Sequence, residues 1–328
     1  MLALSTIAVL GTSLISCGED GEVAELDVPH VFDLNVDPAA NVEPVAEDRK
    51  DVLPAEALRA TLEQGLAWHG ITLVETMRAA RRGDSDVQSW IDQLVQNTAD
   101  LTAAIGLAYG PVGARAFNQQ WAQHTQFLVD YAVAVGQGND AAAESARANL
   151  TDYAHDSGAF FETATDGTLP ANTIEDLLQT HIDHMLSMID ADATGDAGTS
   201  VDLAIKDSVH LSSIAHGLAT GITSQLPDVF PGQVDTPNAE FCSIVTAQSS
   251  SYIIGLLMTD DPSNPLVREA AQNIESATGA TTSEVVGFSD HLLVQSDASI
   301  ADVARDALDH VVEFTGGSSK PTIAPPEG

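Results

Sequence analysis

Apolar residues recur along this chain at the spacing of helices that bury one face. Phe117, Trp121, Leu128, Tyr131 and Val135 stand four, seven, three and four positions apart, which is the stripe of a core-facing helix. The step missing from that series, position 124, is a histidine. The same stripe recurs as Leu62, Leu66, His69, Leu73, Thr76, Ala80, and again as Ile174, Leu178, His181, Met185, Met188. In each case a histidine holds an inward position.

These three segments align without gaps. Fourteen positions separate His69 from Gly83, His124 from Gly138 and His181 from Gly195, and Asp84, Asn139 or Asp196 follows each glycine. A glycine just past a helix end, followed by an N-capping residue, predicts a tight helix-turn-helix corner. The pattern therefore predicts an all-α chain, built as an up-down helix bundle or an array of αα-hairpin repeats. "PVGARAF" (111–117) is expected to start the third helix, and "QLPDVFPG" (225–232) to end the sixth.

Folding each hairpin at its glycine predicts what faces the histidine. Fourteen residues of helix span about 21 Å. The returning helix reaches that height about fifteen to seventeen residues past the glycine, at Asp100, His155 and His210. His69, Asp100, His124, His155, His181 and His210 then form one layer, with His184 one turn beyond His181 able to join. His210 fits an inward stripe with Leu203, Ile214 and Leu218, whereas Asp100 and His155 fall beside the best stripes of their helices.

Such a layer points to a transition-metal site. Neutral imidazole binds Zn, Cu, Ni and Fe, and coordination offsets the burial of a polar ring. "HIDH" puts His181 and His184 on one face, and "DYAHD" places Asp152 and Asp156 beside His155 as ligands or as partners of a ring nitrogen. Two other readings use the same residues. In one, the histidines hydrogen-bond to neighbours such as Trp68, Trp121, Tyr109 and Tyr153 and only set helix register. In the other, two of them hold a haem.

Composition narrows the partners. The formal net charge is −36, from 48 acidic and 12 basic residues. That excludes nucleic acid and anionic membrane surfaces as partners. Apolar content of 44% with only 5% aromatic residues favours helices. Catalytic signatures are missing: there is no Glu-x-x-His, phosphate loop, Gly-x-Ser-x-Gly elbow or Cys-His nucleophile pair. The chain reads as a binding protein rather than an enzyme.

The ends of the chain read differently. "MLALSTIAVLGTSLIS" (1–16) is an apolar run too short to span a bilayer, and Cys17 follows it. "LISC" with Gly18 resembles the lipobox of bacterial lipoproteins. That resemblance implies removal of a signal peptide (1–16), lipidation of Cys17 and anchoring to a membrane of the bacterial cell envelope, outside the cytoplasm. From Glu19 to Asp48 there are ten acidic residues, three prolines and no basic residue, so 17–51 is expected to be a disordered acidic tether. With Cys242 the only other cysteine, no internal disulfide is available. Residues 52–232 are expected to hold the three hairpins. Residues 233–315 are expected to form a further helical region, a decayed fourth repeat or a cap on the array, with Gln248 about where a fourth histidine would fall. Residues 316–328 are expected to be a disordered tail. His291 and His310 have no register partner and are read as exposed or hydrogen-bonded.

"WAQHTQFLVDYA" and "NTADLTAAIGLAYG" resemble an exported bacterial family of all-helical, histidine-bearing repeat proteins, over residues 56 to 232. That resemblance implies the fold and the exported address, and no reaction.

Overall fold

The computed structural model describes residues 12–17, 23–28 and 53–278. The remainder of the predicted leader and tether, His291, His310 and the predicted tail lie outside the described residues. Two short strands, β1 (Thr12–Cys17) and β2 (Val23–Val28), pair antiparallel with Thr12 opposite Val28 and Cys17 opposite Val23. This ladder falls across the expected leader and tether. The other elements are helices: α1 (Ala55–Arg82), α2 (Val87–Gly136), α3 (Asp140–Ala164), α4 (Ala171–Thr194), α5 (Ala197–Gln225), α6 (Pro237–Thr259) and α7 (Pro265–Thr278).

The expected corners are present. Gly83, Gly138 and Gly195 adopt φ of 71°, 64° and 79°, the left-handed conformation that glycine enters without a Cβ clash. Asn139 and Asp196 then cap the next helix by accepting from the backbone N–H groups of Ala142 and Thr199. At the first corner Asp84 does not cap; it accepts instead from Arg82. The second and third predicted helices run on as α2, and the break between them lies inside it. Gly110 has φ 65° and ψ −168°, and Pro111, which has no N–H to satisfy, opens the second half.

Consecutive helices pack on one another from α1 to α7, and α5 closes back on α1. α2 and α4 also meet across the middle, as do α1 and α4. This arrangement is an up-down bundle with α1 at its centre. Every residue of α1 from Leu66 to Ala79 is buried, including polar ones that bond within the helix. Thr72 donates to the Trp68 carbonyl at 2.9 Å and Thr76 to the Thr72 carbonyl at 2.6 Å.

At its C-terminal end α1 is clamped to its neighbours. Arg81 pairs with Asp192 of α4 at 2.8 Å, and α2 passes so close that a Cβ on Gly136 would overlap the Arg81 carbonyl. Backbone, unlike a flexible side-chain tip, cannot move aside. Gly136→Ala is therefore expected to destabilise the bundle by about 1–3 kcal/mol, read by thermal or denaturant unfolding.

Within the described part of the 233–315 region lie α6 and α7, with a left-handed Asp260 (φ 50°) at the corner between them. α6 is long and apolar enough to cross a membrane by length and composition, and 67% of its most apolar window is buried. It packs on α1, α5 and α7. Gln248 accepts from Asn273 of α7 at 2.9 Å, so it turns outward, away from the position a fourth histidine would occupy.

Candidate functional site: a buried histidine triad

Three of the predicted residues meet at the centre. His69 of α1, His124 of α2 and His181 of α4 are 0%, 0% and 1% exposed. Their ring centroids lie 6.0 Å (His69–His124), 5.9 Å (His69–His181) and 5.4 Å (His124–His181) apart. One nitrogen from each ring can be chosen so that all three lie within 4.8 Å of one another. Each helix delivers its histidine because the stripe around it is apolar and the matching glycine corner fixes its height.

The returning helices contribute to the layer, but one turn or less away from the expected positions. Asn97, buried in the first half of α2, donates to the Gly65 carbonyl of α1 at 2.8 Å and lies beside His69. Tyr153 of α3 stacks on His124 with centroids 4.7 Å apart. Asp207 of α5 faces His181, whose Nδ1 lies 2.9 and 3.0 Å from its two carboxylate oxygens. Each hairpin thus supplies a histidine from its outgoing helix and a buried neighbour from its returning one.

Asp100, His155 and His210 do not join the layer. Asp100 is only partly buried and accepts from Gln96 on its own helix at 3.0 Å. His155 is turned outward, its side chain 71% exposed and 3.3 Å from Glu175. His210 is half-buried and its Nε2 donates to the Leu177 carbonyl at 2.9 Å. Asp152 and Asp156 are exposed with His155. His184 stays close, with its Nδ1 3.4 Å from the same Asp207 oxygen that faces His181.

The electrostatics keep the triad ready to coordinate. Burial pushes the His69 pKa down to about 3, and the neighbouring His181 adds to that. Burial likewise holds His124 well below its ordinary value, with His181 and His69 contributing. Both rings are therefore neutral near pH 7, each with one lone pair and one N–H. Burial alone would raise the Asp207 pKa, but attraction and hydrogen bonding from His181, then from His184, outweigh it, and the net shift is downward. An ionised carboxylate can only accept, so Asp207 fixes a proton of His181 on Nδ1 and leaves Nε2 as the nitrogen that could meet an ion.

Although Asn97 stands near enough to His69 to interact with its ring, five ring nitrogens have no close hydrogen-bond partner among the described residues. They are both nitrogens of His69, both of His124, and Nε2 of His181. An unmet buried polar group costs about 1–3 kcal/mol, so five in one place make a large local deficit. A cation at the centre would remove most of it. An equilateral triangle of 4.8 Å sides has its centre about 2.8 Å from each corner, so rings at that limit need move inward only about 0.7 Å to reach Zn–N distances of about 2.0–2.1 Å.

No family model, curated protein or solved structure matches the chain. The site is read on its own chemistry.

Proposed function

We propose that the protein binds a first-row transition-metal ion, Zn, Cu, Ni or Fe, through His69, His124 and His181. The observation that carries this reading is the convergence of three buried imidazoles, one nitrogen from each, at the centre of the bundle, where their ring nitrogens go largely unpartnered. A layer that served only to set helix register would be expected to satisfy its polar atoms with one another. Asp207 behind His181 supplies the carboxylate–imidazole–metal arrangement that orients a ligand and raises its basicity. The net charge of −36 raises the local concentration of cations around the protein.

The same geometry favours an ion over a haem. Trp121 lies 4.7 Å from His69 and 5.5 Å from His124, and His181 flanks the same two rings. A flat macrocycle has no slot between them. With the leader pattern and Cys17 at the N-terminus, the reading extends to a lipid-anchored, extracytoplasmic protein of the bacterial envelope that takes up, buffers or detoxifies metal without catalysis.

Elemental analysis of the purified protein after separate exposure to Zn, Cu, Ni and Fe tests this. The expected result is one tightly held ion per chain for at least one of these metals. A protein that stays empty with all of them would overturn it. Asp207→Asn is expected to keep the stoichiometry and weaken affinity about 10- to 100-fold, read by competition with a chelator of known affinity.

A further inference from the structure

The triad is sealed, yet one polar line leads outward from it. Asp207 is 1% exposed, and its Oδ1 lies 2.9 Å from His181 Nδ1 and 3.4 Å from His184 Nδ1. The His184 side chain is 24% exposed. His210, from α5, stands edge-to-face against it with ring centroids 5.7 Å apart. Because His210 Nε2 donates to the Leu177 carbonyl, its Nδ1 keeps a lone pair. On other sides of the triad the ring neighbours are Trp121 against His69, Tyr153 against His124, and a fully buried Asn97 beside His69 whose amide is held by the Gly65 carbonyl.

An ion losing its water crosses a carboxylate-lined passage far more easily than an apolar wall. We propose that Asp207, His184 and His210 line the path along which a divalent cation reaches the triad. This inference rests on the metal reading above. It assigns His184 and His210 to the path of the ion rather than to its final coordination.

A path residue and a ligand leave different signatures. Removing a path residue slows loading and release by the same factor and leaves affinity unchanged, because the end states are untouched. Removing a ligand changes affinity. The test uses Zn2+ alone with the full chain. Loading is followed by depletion of a zinc-sensitive dye, and release by transfer of zinc to excess chelator. His184→Ala/His210→Ala is expected to slow both by about tenfold or more with Kd unchanged. Far-UV circular dichroism checks its fold, and His184→Gln, which leaves the His210–Leu177 bond in place, is expected to show the same signature more weakly.

Unchanged rates in both variants overturn the proposal, and so does a loss of affinity that marks these histidines as ligands. A wild-type protein that takes up no Zn2+, while holding another of the four metals, overturns this inference as a zinc path alone. One that takes up none of the four overturns the metal reading along with it.

Discussion

His124→Ala is expected to abolish ion binding at the proposed triad while leaving the bundle folded. His124 supplies one of three convergent nitrogens, and no other described His, Cys, Asp or Glu completes a set of three with His69 and His181. Its removal also takes away two of the five unpartnered buried nitrogens, which offsets the small cavity left behind. In the presence of chelator the variant should therefore unfold within about 1–2 kcal/mol of the wild type. With free ion at about a thousand times Kd, only the wild type gains, by about 4 kcal/mol. Paired thermal unfolding scans with and without metal read both quantities. Equal gaps under the two conditions would mean that His124 matters for packing alone.

The metal-free protein should also lose stability steeply on mild acidification. The pKa of His69 is about 3 in the folded state against 6.5 for an ordinary imidazole, and that of His124 is lowered in the same direction. Between these values the unfolded chain binds protons that the folded one refuses. Stability is thus fully present above about pH 6.5 and declines as pH falls towards the folded-state pKa. At about pH 4.5 the His69 ring removes about 2–3 kcal/mol, and His124 acts in the same direction. Asp207, whose folded pKa is lowered, adds a loss in the same direction only below the ordinary carboxylate range. Denaturant unfolding of chelator-treated protein across this range checks the slope, and His69→Gln should flatten it. A flat profile in the wild type would show that the rings are solvated or already partnered.

Much of this architecture was legible as spacing. The fourteen-residue interval from histidine to glycine places His69, His124 and His181 at one height, and the left-handed Gly83, Gly138 and Gly195 turn the chain where expected. The returning helices were misjudged, for a physical reason visible in the stripes. On α5 the inward row is Ala204, Asp207, Leu211, Ile214 and Leu218. Choosing the bulkier Leu203 over Ala204 rotates the face and selects His210 in place of Asp207. On the first half of α2, Trp90, Leu94, Asn97, Leu101 and Ala104 form the buried row, so a polar Asn97 inside that row was the signal and Asp100 was not. His155 stands at the expected height but beside the buried row, and Tyr153, two positions earlier on that row with Leu150, occupies the inward place. Tight crossings such as Gly136 against Arg81 depend on interhelical distance, which periodicity does not encode.

X-ray absorption at the zinc edge of the loaded protein addresses the central claim most directly. The account predicts a first shell with three imidazole nitrogens at about 2.0–2.1 Å, together with the outer-shell scattering of imidazole rings, and loss of that pattern in His124→Ala. A first shell made of carboxylate oxygens, or one unchanged by the substitution, would place the ion elsewhere and contradict it.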